Sequence, residues 1–104
     1  MVKGVKTMAL ENSFKTNLVR EIERTFPGCM VVHLDPNESQ GIPDLLVLYK
    51  DKWAALEGKT AEDAEHQPNQ DYYVGMMNFM SFAAFIYPEN KDAVLDDLYD
   101  YFKQ

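Results

Sequence analysis

The stretch GIPDLLVLYKDKWAALEGK, residues 41–59, decides how the rest of the chain is read. Its two apolar runs, 42–49 and 53–59, predict β-strands joined by the tight charged turn Lys50-Asp51-Lys52. Side chains of a strand alternate between faces, so Glu57 and Lys59 share a face, about 6–7 Å apart along the strand. If the two strands pair through the turn, Asp44, at the start of the first, lies across from the end of the second. Two carboxylates and one ammonium then converge at one end of a sheet. Carboxylates that close repel unless a cation sits between them, and hard oxygen ligands suit Mg²⁺ or Mn²⁺. A lysine beside such a cation can hold a water or a phosphate oxygen. This is the outline of a site that cuts phosphodiesters.

Upstream, residues 1–7 read as a loose, weakly basic lead-in. From 8 to 26 the pattern is helical, with Leu10, Phe14, Leu18, Ile22 and Phe26 recurring every fourth residue, and Pro27-Gly28 ends it. Glu11 falls inside that apolar stripe, where a carboxylate needs a reason. One reason is its place in the first turn, where the helix dipole favours negative charge. Residues 29–34 predict a strand, in which His33 is a lone packed or surface residue. Residues 35–41 form a loop by composition. It leads straight into Pro43-Asp44 and so lines the mouth of a cleft, with Glu38 a solvated loop residue. The run 42–49 is apolar after Asp44, as for a strand covered on both faces, and Pro43 fits at a strand start, where no ladder donor is needed.

Downstream, 60–67 is an acidic, solvated connection that includes His66. Pro68 suits the first turn of a helix running to 80, with Tyr73, Met76, Met77 and Met80 as its core face. Gln70, three residues before Tyr73, points toward the sheet on the same face. Residues 81–87 predict a buried strand closed by Pro88, which the crossover helix makes parallel to a neighbour. Asn90 is placed to cap a last helix, 91–102. The inner face of that helix is Val94, Leu98, Tyr101 and Phe102, and its wet face Asp92, Asp96, Asp97 and Asp100. The order is α-β-β-β-α-β-α. That is an α/β fold, a mixed sheet flanked by helices on both faces, within a single domain spanning residues 1–104.

Composition bounds the function. One hundred and four residues make one core, and 46% hydrophobic content argues against disorder. No apolar run is long enough to span a bilayer and no basic-then-apolar leader opens the chain, so a soluble cytoplasmic protein with no membrane partner is expected. The single Cys29 cannot form an internal disulfide and reads as a small core residue. A net charge of −7 speaks against binding nucleic acid by bulk electrostatics. Its distribution softens that objection. Residues 1–59 carry eight Lys/Arg against eight Asp/Glu, whereas 60–104 carry two against nine, so the charged strand ends lie in the neutral half. A Gly-rich phosphate loop, a CxxC pair and a Ser-His-Asp pattern are all missing from the sequence.

The pattern Pro43-Asp44 … Glu57-Gly58-Lys59, on two predicted strands in this order, resembles the PD-(D/E)xK nuclease superfamily. With Gly41 ahead of it and Gln70 behind, it is most similar to the virus-type replication-repair nuclease (VRR-NUC) and phage Holliday-junction-resolvase-like branch. The resemblance implies a restriction-endonuclease-like core and metal-dependent hydrolysis of DNA, with branched or junction DNA favoured. It also implies pairing into a homodimer and a phage or prophage origin, acting in the host cytoplasm. It assigns Asp44, Glu57 and the Gly58 carbonyl to Mg²⁺ or Mn²⁺, Lys59 to the attacking water, and Gln70 to a water or phosphate. It gives Glu11 a second reading, as a first-helix carboxylate aimed at the metal, beside the dipole reading above. Gln70 keeps a second reading too, as a cap or backbone contact. Gly58 departs from the family pattern, which has an apolar residue in this slot; a glycine loses packing and loosens the strand at the site. Two alternatives stand beside the nuclease: a DNA-binding module on the same fold whose site has decayed, and a small acidic regulator that binds a basic protein through residues 60–104.

Overall fold

The computed structural model describes residues 2–104, and side chains from residue 12 onward. Along the chain it runs α1 (Val2–Thr25), β1 (Met30–His33), β2 (Leu45–Tyr49), β3 (Lys52–Gly58), α2 (Gln70–Met80), β4 (Phe82–Ile86) and α3 (Lys91–Phe102). The strands form one sheet in the order β1-β2-β3-β4. β1, β2 and β3 pair antiparallel, and β4 joins β3 parallel. The result is a small α/β domain with a four-stranded mixed sheet and three helices, as the alternation of strand and helix periods predicts.

The hairpin is the frame. Leu45 pairs with Leu56 and Tyr49 with Lys52, so the turn proper is Lys50-Asp51, with Lys50 in the left-handed region at φ 56°. β2 begins at Leu45, later than the apolar run predicts, because Pro43 has no N–H to donate to a ladder. Pairing with β1 still reaches one step further, through the Leu34 N–H and the Asp44 carbonyl at 2.8 Å. Gly41, at φ +92°, is required by a close approach. A Cβ there would lie 2.6 Å from the Pro68 carbonyl oxygen, so the loop ahead of β2 runs against the start of α2.

Register sorts the side chains. Leu45, Val47, Tyr49, Ala54, Leu56 and Ile86 fall on one face of the sheet and are buried there with Leu18 and Ile22 of α1, Phe26 just past its end, and Leu95, Leu98 and Phe102 of α3. Phe26 anchors this core, edge-on to Phe102 at 5.1 Å and tilted against Tyr49 at 5.5 Å. Each fully buried side chain of this kind stabilises the fold by about 1.5–3 kcal/mol. α2 covers the opposite face, packing on β3 and β4.

Several local expectations are corrected. α1 starts at Val2, so residues 2–7 are helix rather than a lead-in; adding a turn to a nucleated helix costs far less than nucleating one. α2 starts at Gln70 rather than Pro68, because Asn69 sits in the left-handed region at φ 71° and breaks the helical path behind it. Asn90 makes no side-chain cap. Its amide turns back to β4 instead, accepting from the Tyr87 N–H at 2.8 Å and donating to the Phe85 carbonyl at 3.0 Å. The inner face of α3 includes Leu95, while Val94 and Tyr101 are only half-buried. The predicted two-sided cover of β2 holds on one side only, since Leu48 is 37% exposed. The methionine face of α2 is likewise split: Met77 and Tyr73 are half-buried, but Met76 and Met80 are exposed. Among the described residues no helix is long and apolar enough to cross a membrane.

Candidate active site

Continuing the β2–β3 register one step beyond Leu45 and Leu56 sets Asp44 across from Glu57. Lys59 follows on the same face by alternation, held in line by its N–H to the Ile86 carbonyl at 2.8 Å. Gln70 enters from above, as the first residue of α2 and the only fully buried one in that helix. The four residues expected to form a site line one pocket of about 370 Å³ between the sheet end and the loop ahead of α2.

Glu57 is the residue under stress. It is 3% exposed, and its carboxyl pKa is pushed up to about 8, first by burial and then by the facing Asp44 carboxylate, with Lys59 and Lys15 pulling the other way. Its Oε2 accepts from Gln70 Nε2 at 3.2 Å, but its Oε1 is buried with no hydrogen-bond partner. A buried oxygen left unpaired costs about 1–3 kcal/mol. Asp44 is better satisfied: its Oδ2 accepts the Gly58 N–H at 3.0 Å and meets the Lys15 ammonium at 3.1 Å.

Lys59 does not bond to either carboxylate. Its Nζ donates to Gln70 Oε1 at 2.6 Å and to the Glu65 carbonyl at 3.0 Å. Gln70 Oε1 also accepts the Gln67 N–H at 2.8 Å. The Gln70 amide therefore joins two functional groups, accepting from Lys59 and donating to Glu57. Gln70 contacts backbone, as one of its two readings expects, and its side chain also lies between Lys59 and Glu57. The loop that supplies Glu65 and Gln67 is pinned by His66, which stacks on Phe85 at 4.0 Å and bonds Asp71 at 2.7 Å.

Lys15 and the backbone of residues 65–67 are the parts that sequence reasoning missed. A signal for Lys15 existed. At about 100° per residue it falls beside Ile22 on the inner stripe of α1, just as Glu11 does. The side chain of Glu11 itself lies outside the described residues. His33 is exposed, as expected of a surface strand residue, and Glu38 is an exposed loop residue.

As a cation site the arrangement is a carboxylate pair. Among the described residues no group of three or more His, Cys, Asp or Glu side chains gathers at one point. The unpartnered Glu57 Oε1 beside Asp44 fits a hard divalent cation, which would supply the missing partner for that oxygen and offset the repulsion that raises its pKa. Compared with protein-family models, with curated proteins and with solved structures, the chain matches none of them.

Proposed function

We propose that the protein is a metal-dependent endonuclease of the PD-(D/E)xK kind with a restriction-endonuclease-like core, hydrolysing phosphodiester bonds in DNA, with branched or junction DNA as the favoured substrate. The observation that carries this reading is the Asp44–Glu57 pair at adjacent strand ends, with one oxygen of Glu57 buried and unpartnered and Lys59 next on that face. A pure binding surface has no use for two facing carboxylates, since each raises the cost of ionising the other.

Asp44, Glu57 and the Gly58 carbonyl are the groups that would hold Mg²⁺ or Mn²⁺, with Glu11 as a further ligand. Such an ion, when bound, lowers the pKa of a coordinated water and draws negative charge from a phosphate oxygen. Glu57 contributes by ionising, which its burial resists until a cation arrives. Lys59 holds a positive charge at the pocket wall, where it orients the attacking water and offsets charge building on the phosphate. Gln70 fixes the distance between Lys59 and Glu57 through its two hydrogen bonds, so that neither group wanders from the scissile bond. A pair of copies would bring two sites to one junction.

The test is cleavage of a labelled four-way junction, a splayed fork and a linear duplex with Mg²⁺, Mn²⁺ or EDTA. Metal-dependent cuts that fall at least about 100-fold in Lys59→Ala and Asp44→Ala, with the fold retained by circular dichroism, are the expected outcome. Full activity in both variants would sink the assignment.

A further inference from the structure

Lys15 has no place in the motif, yet it is the side chain that meets Asp44. Its Nζ lies 3.1 Å from Oδ2, and both groups are mostly shielded from solvent. Gly58 is what lets it in. A Cβ built on Gly58 would meet Lys15 Cγ at 3.3 Å, Cε at 3.4 Å and Asp44 Oδ2 at 3.6 Å. Contacts with two carbons of one stem mean that the lysine crosses directly over the glycine. By register Gly58 pairs with Ile86 and shares the sheet face that α1 covers, so a side chain there would take the volume that the lysine stem now fills. The residue that is out of place for packing is in place for a lysine reaching down from α1.

We infer that Lys15 is a built-in cation of the carboxylate pair, holding at Asp44 part of the position that a divalent ion takes up, and that Gly58 is a glycine to admit it. The inference deepens the metal-site reading and rests on it. Two carboxylates at neighbouring strand ends repel when both are ionised; an ammonium on one of them lessens that repulsion. The cost falls on metal uptake. An ion approaching Asp44 must push a like charge off the same oxygen, so the two cations compete for one site. Space for the displaced ammonium lies beside it, in a second pocket of about 390 Å³ that Lys15 and Asp44 line together with Asn12, Thr16 and His33. Asp44 and Pro36 border both pockets.

The experiment is calorimetric titration of Mn²⁺ into the wild-type protein, Lys15→Met and Gly58→Ala, without DNA. Lys15→Met keeps the stem and removes the charge; Gly58→Ala keeps the charge and crowds the stem. Both should take up Mn²⁺ at least about fivefold more tightly than wild type. In the metal-free protein, both should also shift the Asp44 side-chain carboxyl ¹³C resonance, which a role confined to helix packing would leave in place. Unchanged or weaker Mn²⁺ binding in Lys15→Met, beside measurable binding by wild type, would overturn the inference and leave the metal site standing. Absence of Mn²⁺ binding in all three proteins would overturn the metal site and the inference with it.

Discussion

The two faces of the sheet are built on opposite plans. The face under α1 and α3 is sealed: Leu45, Val47, Leu56 and Ile86 are buried against Ile22, Phe26, Leu98 and Phe102, and among the described residues no charged side chain belongs to that cluster. The face under α2 is half-open and carries the chemistry. Its buried residues at the site end are Glu57, Lys59 and Gln70, while on β1 and β2 the cross-strand partners Met30 and Leu48 stay exposed. α2 itself shows Tyr72, Met76, Phe79 and Met80 to the outside, Phe79 at 89% exposure. A sheet four strands wide needs more than one helix to cover it, and among the described residues this side has one. The sealed face supplies the stability that lets the other keep a strained carboxyl in a polar pocket. Exposed apolar residues clustered in this way mark contact surfaces more often than chance does, and the proposed pairing of two copies has its natural place here.

Substitutions should separate the faces cleanly. The largest effect on stability belongs to the sealed side. Phe26→Ala empties the centre of an aromatic cluster and should cost about 3–5 kcal/mol in urea unfolding. A loss under 1 kcal/mol would mean that the core closes around the gap, and that the contrast between faces is shallower than drawn. On the open side, Glu57→Gln should act through pH. The Glu57 carboxyl titrates near 8 when folded, against an ordinary value of 4.5, so between those limits the folded protein binds the extra proton. Its stabilising contribution is complete below pH 4.5 and is lost as pH rises through 8. Metal-free wild type should therefore lose stability from pH 5 to 9 relative to Glu57→Gln. Parallel curves for the two proteins would refute a strained carboxyl at this position.

Smaller effects sharpen the comparison. His66→Ala removes the stacked, hydrogen-bonded pin of the loop that holds Lys59 and Gln70. It should cost about 1 kcal/mol of stability and lower the cleavage rate more than the substrate affinity, read as kcat against KM. Phe79→Asp should change stability by no more than about 0.5 kcal/mol, as for a surface site. It should nonetheless shift the molecular mass by light scattering toward a single copy. If the mass does not change between wild type and variant, the exposed face of α2 is not where copies pair.

What could be read from the residues alone was whatever depends on local geometry. A period of two put Glu57 and Lys59 on one face, and a tight turn brought Asp44 across from that strand end, because a strand has no other way to direct those side chains. That Glu57 is the residue facing Asp44 follows from the two-residue turn of the folded hairpin, one residue shorter than Lys50-Asp51-Lys52. The four-apart stripe of α1 marked Leu18, Ile22 and Phe26 as core for the same kind of reason. Tertiary structure decided the rest. Periodicity identifies an apolar helix face but cannot say whether a neighbour covers it, so Met76 and Met80 read as core until α2 was seen to reach only two strands. Asn90 has the chemistry of a cap, yet the end of β4 lies nearer to its amide than the free N–H groups of α3. Gly58 and Lys15 are 43 residues apart in the sequence, and neither explains itself. Gly58 reads as a loss of packing in a strand, and Lys15 has no part in the motif. Packing α1 across the end of the sheet brings a missing side chain under a long one, and that contact relates the two residues in a way their sequence positions do not.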